Sequence, residues 1–168
     1  MSSPSFVAID FETADYGRDS ACAVGLVRVE GQRIVDEVRF LIRPPRREFV
    51  FTYIHNIAWA DVEDQPTFRT VWLETRPLLR GAEYMVAHNF GFDRAVLEAC
   101  CESARLRPPD LGYRCTMKLA RCAWGIFPTK LPDVCRSLGI PLDHHDPLSD
   151  ARACAHIVIR AIQEGLCF

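Results

Sequence analysis

Residues 5–11, SFVAIDF, form an apolar run of strand length that stops on acid, with Asp10 and Glu12 two residues apart at its end. A run this short, this continuously apolar and bounded by turn residues reads as a buried strand. Side chains alternate across a strand, so Asp10 and Glu12 project to the same side and converge on one point. Two carboxylates so placed repel each other unless something cationic sits between them. The chain that follows must therefore build a core around this strand and also resolve the charge at its end.

The next segment, ACAVGLVRVEGQRIVDEVRFLI, reads as two strands joined at a Glu30-Gly31-Gln32 turn, which makes an opening three-stranded antiparallel meander. Pro44 and Pro45 stop the third strand. An aromatic-rich loop then leads to a helix predicted over 67–79 from the spacing of Phe68, Val71, Trp72, Leu78 and Leu79, with Gly81 ending it. EYMVAH is a fourth strand, followed by helical spacing at Phe92, Ala95, Val96, Ala99 and Cys100. A short strand near Tyr113–Cys115, helices over 116–123 and within KLPDVCRSLGI, and a last helix with Ser149 as N-cap and Gly165 as stop complete the reading. Strands first, then strand and helix in alternation, give an α/β fold with a mixed central sheet. At 168 residues the chain is most economically a single domain spanning 1–168.

Composition narrows the class only slightly. Hydrophobic content of 49% and charged content of 25% are ordinary for globular proteins. The first residues lack a basic start and apolar stretch, and no run approaches the ~18–20 residues needed to span a bilayer, so a cytoplasmic protein with no membrane partner is expected. The eight cysteines include no C-x-x-C pair and mostly sit in apolar periodic segments, as reduced structural thiols do. A net charge of -2 lacks the usual footprint of a nucleic-acid binder. Against it stand two local basic segments, RPPRRE at 43–48 and RLRPP at 105–109, which taken singly read as solvated loops.

Two further acidic spots match the first. Asp93 follows the strand that ends at His88, at the first turn of a helix, and Asp150 opens the last helix with His145 five residues upstream. All three lie where a strand ends or a helix begins, on the side of an α/β sheet where sites form. Four carboxylates converging there call for cations, and all-oxygen ligation selects hard ions, Mg2+ or Mn2+.

These stretches resemble the DEDDh 3'-to-5' exonucleases: D-x-E-T at Asp10, Glu12 and Thr13, A-H-N-x-x-F-D from Ala87 to Asp93, and H-x-x-x-x-D-A from His145 to Ala151. The intervening text agrees over nearly the whole chain, departing at Pro147 and at HNIA (His55 to Ala58), where the family usually has alanine and HGIT. The resemblance implies a ribonuclease H-like fold with helices on both faces of the sheet. It implies two divalent cations held by Asp10, Glu12, Asp93 and Asp150, with His145 as general base, a role suited to an imidazole near neutral pH. It also implies that Phe11, Thr13, His55 and Phe92 bind the terminal nucleotide of a single-stranded 3' end.

The function expected on this basis is release of nucleoside monophosphates from single-stranded DNA or short RNA. The alternatives are a catalytically silent nucleic-acid-binding accessory module of the same fold, and a hydrolase acting on free nucleotides. A homodimer and a polymerase or repair partner both remain open. His88 and Asn89 read as residues that order the motif loop. His144 is read as bland, His156 as a satisfied core histidine, and Trp59, Trp72 and Trp124 as packing residues.

Overall fold

A computed structural model describes residues 4–166 of the chain. The meander is present as β1 (Phe6–Thr13), β2 (Ala21–Glu30) and β3 (Arg33–Leu41), with Gly31 at φ 62° in the tight turn between the last two. The aromatic-rich loop holds two single-turn helices, α1 (Thr52–His55) and α2 (Trp59–Val62), before α3 (Phe68–Leu79). Then come β4 (Tyr84–Ala87), α4 (Phe90–Ser103), β5 (Gly112–Cys115), α5 (Thr116–Trp124), α6 (Leu131–Leu138) and α7 (Pro147–Gln163). The strands form one sheet in the order β3-β2-β1-β4-β5, antiparallel across β1/β2 and β2/β3 and parallel across β1/β4 and β4/β5.

β1 is central, and its alternation separates two cores. Phe6 and Ala8 pack with α5, α6 and α7 on one face, while Val7, Ile9 and Phe11 pack with α3 and α4 on the other. Full burial of a Val, Ile or Phe side chain contributes on the order of 1.5–3 kcal/mol, and Phe6, Val7 and Ile9 are all 0% exposed. That anchoring holds the strand end in place against the repulsion of its acids. Asp10 and Glu12 continue the row of Phe6 and Ala8, on the face covered by α7.

The last helix starts earlier than its sequence suggests. Asp146, not Ser149, is the N-cap, accepting a hydrogen bond from Ser149 N at 2.9 Å, and Pro147 is the first helical residue. Asp before Pro is a favourable pair there, because Pro lacks an N–H that the first turn could not use anyway. Ser149 instead accepts from Asp143 N through its hydroxyl at 2.8 Å, closing the preceding loop. His156 is a second correction. It lies on the exposed side of α7, not in the core, because the helix packs on the sheet through Ala155, Ile157 and Val158.

Gly25 decides how close α7 can come. It pairs with Asp10 across β1/β2, and a Cβ added to it would collide with the Pro147 carbonyl and stand 2.6 Å from Leu148 N. A glycine inside a strand marks close backbone approach, and here the backbone is the first turn of the helix carrying Asp150. Gly25→Ala should therefore cost about 1–3 kcal/mol of stability, the range for overpacking a tight site. Urea unfolding of the two proteins measures this, and unchanged stability would mean that α7 has room to move.

Candidate active site

The sheet's central strand, β1, and two helix starts bring the acids together. One carboxylate oxygen from each of Asp10, Glu12 and Asp150 lies within 4.8 Å of the others. Asp93 and Asp150 occupy the same position in their helices, the fourth residue of α4 and of α7. Asp93 is 3% exposed, and its Oδ1 accepts a hydrogen bond from Phe11 N at 3.1 Å, which ties α4 to the end of β1. The structure thus brings all four sequence-predicted acids to one place, with Asp93 next to the tight trio rather than within it.

Burial and mutual repulsion dominate their electrostatics. Burial, then the charges of Asp93, Asp150 and Glu12, push the Asp10 carboxyl well above the usual carboxylate range. Burial followed by Asp150 and Asp93 pushes Glu12 up to about 8. Asp93 is raised to about 7 by burial, although the Phe11 N–H opposes the shift. Burial also raises Asp150, against the pull of His144. Asp150 Oδ1 is buried with no hydrogen-bond partner among the described residues. Leaving such an atom unmet costs about 1–3 kcal/mol or more. An orphaned carboxylate oxygen in an all-oxygen cluster is the donor set that a hard divalent cation takes.

Two histidines flank the trio. His145 Nδ1 is 4.0 Å from Glu12 Oε1, and the residue adopts a left-handed backbone, φ 71°, just before α7. Burial, then His144 and His55, lower its pKa, so the imidazole is neutral near neutral pH. His144 belongs to the site as well, which corrects the bland reading. Its Nδ1 donates to Asp150 Oδ2 at 2.9 Å, and its ring stacks on His145 with centroids 3.8 Å apart. Spacing to Asp150 points to His145 alone; the left-handed turn that lets neighbouring histidines face one carboxylate cannot be seen in spacing.

The remaining predicted residues line a cavity of about 430 Å3 shared with the acids. Phe11 is 3% exposed while Phe92 is 42% exposed, so Phe11 is fixed in the core and Phe92 stands free. His55 is engaged at both ring nitrogens: Nδ1 accepts from Ile57 N at 3.1 Å, leaving Nε2 to donate to Thr13 O at 3.0 Å. It braces the end of β1 from α1. His88 donates through Nε2 to Thr129 O at 2.8 Å and accepts from the Thr116 hydroxyl at 2.8 Å, tying the loop after β4 to α5 and the loop beyond it. Asn89 shapes the same loop with a left-handed backbone, φ 62°. Sequence reasoning passed over Asp146 and Gly25, although Asp-Pro and an in-strand glycine were both signals.

This fold and this acid cluster define a nuclease of the ribonuclease H-like type. The exonuclease family (RNase T type) matches residues 7–158, and the chain belongs to that family as a DEDDh exonuclease. It is 32% identical over 163 residues to Exodeoxyribonuclease 10 of Escherichia coli strain K12, covering 90% of this chain and 66% of that protein. It is 30% identical over 163 residues to the PolC-type DNA polymerase III of Thermotoga maritima, covering 95% of this chain but 12% of that protein. The chain thus spans a small part of the polymerase it matches. Exonuclease X, solved in complex with 5' overhanging duplex DNA, superposes with a TM-score of 0.75 at 27% identity, covering 96% of this chain and 94% of that one. Among the described residues no helix is long and apolar enough to cross a membrane.

The raised carboxyls link stability to pH. Each keeps its proton in the fold after the unfolded chain has lost it, so its contribution to stability falls as pH rises from the usual carboxylate value of ~4. The loss continues through the folded values, about 7 for Asp93 and about 8 for Glu12. Asp10→Asn removes one of the repelling charges. In cation-free buffer it should raise the melting temperature at about pH 8 by at least the ~2–4 °C that ~1 kcal/mol produces in a chain of this size, and by less at about pH 5. Calorimetry at the two pH values checks this, and a gain independent of pH would remove charge repulsion as its source.

Proposed function

We propose that the chain is a 3'-to-5' exonuclease that releases nucleoside monophosphates from single-stranded DNA or short RNA, using two divalent cations, Mg2+ or Mn2+. The observation that carries the reading is the convergence of Asp10, Glu12 and Asp150 within 4.8 Å, with a buried, unpartnered Asp150 oxygen among them. Exodeoxyribonuclease 10 and the DNA complex of Exonuclease X favour DNA as the substrate. The likeness to part of a PolC-type polymerase supports work at a replication or repair site.

In this reading Asp10, Glu12 and Asp150 would hold one cation, and Asp93 would hold the second. Bound there, the cations stabilise charge on the entering and leaving oxygens of the phosphodiester. His145, neutral and next to Glu12, takes the proton of the attacking water, a role that typically contributes ~10^2–10^4 in rate. His144 holds Asp150 in place through its hydrogen bond. The exposed Phe92 and the fixed Phe11 line the cavity on which a terminal base stacks, and stacking tolerates any base. Thr13, braced by His55, meets the terminal 3' hydroxyl.

Asp10→Asn and Asp150→Asn should each abolish Mg2+- or Mn2+-dependent digestion of single strands while the proteins stay folded and still bind them. Persistent digestion by either variant would remove the mechanism, and a wild-type chain that binds ends without cutting would be the silent module instead. His145→Gln should lower kcat by about 10^2–10^4 with single-strand binding within about twofold of the parent. Products from 3'-labelled and 5'-labelled DNA and RNA strands establish polarity and sugar preference, and release starting at the 5' end would contradict the assignment.

A further inference from the structure

The two arginine-proline segments, distant in sequence, meet in the fold. They border a groove of about 780 Å3, separate from the acid-lined cavity, whose walls include Arg43, Pro45, Trp59, Phe68, Arg69 and Arg105. Arg69 Nη1 donates to Ala104 O at 2.7 Å and Arg43 Nη1 to Glu63 O at 3.3 Å; both acceptors are neutral carbonyls that leave the positive charge uncancelled. The Arg105 side chain is exposed, and no ion pair among the described residues involves Arg43, Arg69 or Arg105. Asp19 is the acid on the groove wall; Arg46 engages it at 2.6 Å and Asp15 at 2.9 Å, so this trio keeps one negative charge against the three arginines. A chain with net charge -2 thus gathers three unpaired guanidinium groups around one groove.

The groove also adjoins the candidate active site. Phe68 in its wall packs on Phe11 of the acid-lined cavity, with ring centroids 6.4 Å apart. The β1–β2 loop borders both. Tyr16, 82% exposed, stands edge-on to Phe51 of the cavity at 5.0 Å, and Asp19 of the same loop lines the groove. Positive charge along a groove beside the cavity suits the backbone phosphates of a single strand, which arginines neutralise.

We propose that this groove is a second binding place for the nucleic-acid strand, holding backbone phosphates of the segment beyond the end at the acid cluster. The proposal rests on the exonuclease reading and adds the strand's path to it. A strand leaving the cavity passes Tyr16 on the loop and reaches Arg43 and Arg105, so only substrates long enough to span both places gain from the groove. An acidic peptide would satisfy the same arginines; the contact of Phe68 with Phe11 and the common β1–β2 loop favour the strand already held next door.

The test is fluorescence anisotropy on Asp10→Asn protein, comparing labelled oligothymidylates of about four and about twenty nucleotides over a range of salt. Adding Arg43→Gln and Arg105→Gln should weaken binding of the long strand on the order of tenfold and reduce its log-log salt slope by about 1.4, at ~0.7 for each phosphate no longer neutralised. Binding of the short strand should not change, and Arg43→Lys with Arg105→Lys should restore most of the affinity. Long-strand affinity that is unchanged, or short and long affinities that fall together, would overturn the proposal. So would a Gln pair that binds the long strand normally but loses a labelled Glu-rich peptide. Failure of the exonuclease reading shows separately, as no cation-dependent digestion of either oligonucleotide by the unaltered chain, because the binding comparison requires no cutting.

Discussion

Repulsion among Asp10, Glu12, Asp93 and Asp150 is the constraint around which this fold is arranged. Burial raises all four carboxyls, and charge from other members of the cluster adds to the rise at Asp10, Glu12 and Asp93, while at Asp150 His144 opposes it. A flexible chain would relieve such strain by letting the acids separate. Here each is fixed to a rigid element: Asp10 and Glu12 to a strand buried on both faces, Asp93 to β1 through the Phe11 N–H, and Asp150 to a helix start pressed against Gly25. The core therefore stores an electrostatic cost that a bound divalent cation would relieve, in a cluster whose geometry the fold already holds fixed.

Polar braces outside the acid cluster complete that rigidity. His55 spends both ring nitrogens on backbone and so fixes the end of β1, and His88 ties the loop after β4 to Thr116 and Thr129. Arg46 joins Asp15 and Asp19 of the β1–β2 loop to the segment after β3. These groups surround the site without being its chemistry. They fix the segments that border the acid-lined cavity.

The acids were legible because each sits at a strand end or helix start that periodicity alone locates, and because Asp10 and Glu12 share a strand face by simple alternation. His144 was not legible: its approach to Asp150 depends on the left-handed turn at His145, a conformation that residue identity does not announce. His156 was misplaced for a related reason. Its position fits an apolar period, yet the side of α7 facing the sheet is chosen by how the helix seats on β1 and β2. The arginine segments looked like separate solvated loops until the fold brought Arg43 and Arg105 to one groove.

By itself, then, the sequence determined the order of the strands and longer helices, the burial of the first strand and the set of acids, because these follow from hydrophobic period, turn residues and local geometry; the two single-turn helices of the aromatic-rich loop escaped it. Tertiary structure alone decided which groups meet: the close seating of α7 over Gly25, the pairing of His144 with Asp150, and the uncancelled charge of the arginine groove. The reason is physical. Period and propensity act over a few residues, whereas contacts between residues far apart in the chain are set by how whole elements pack.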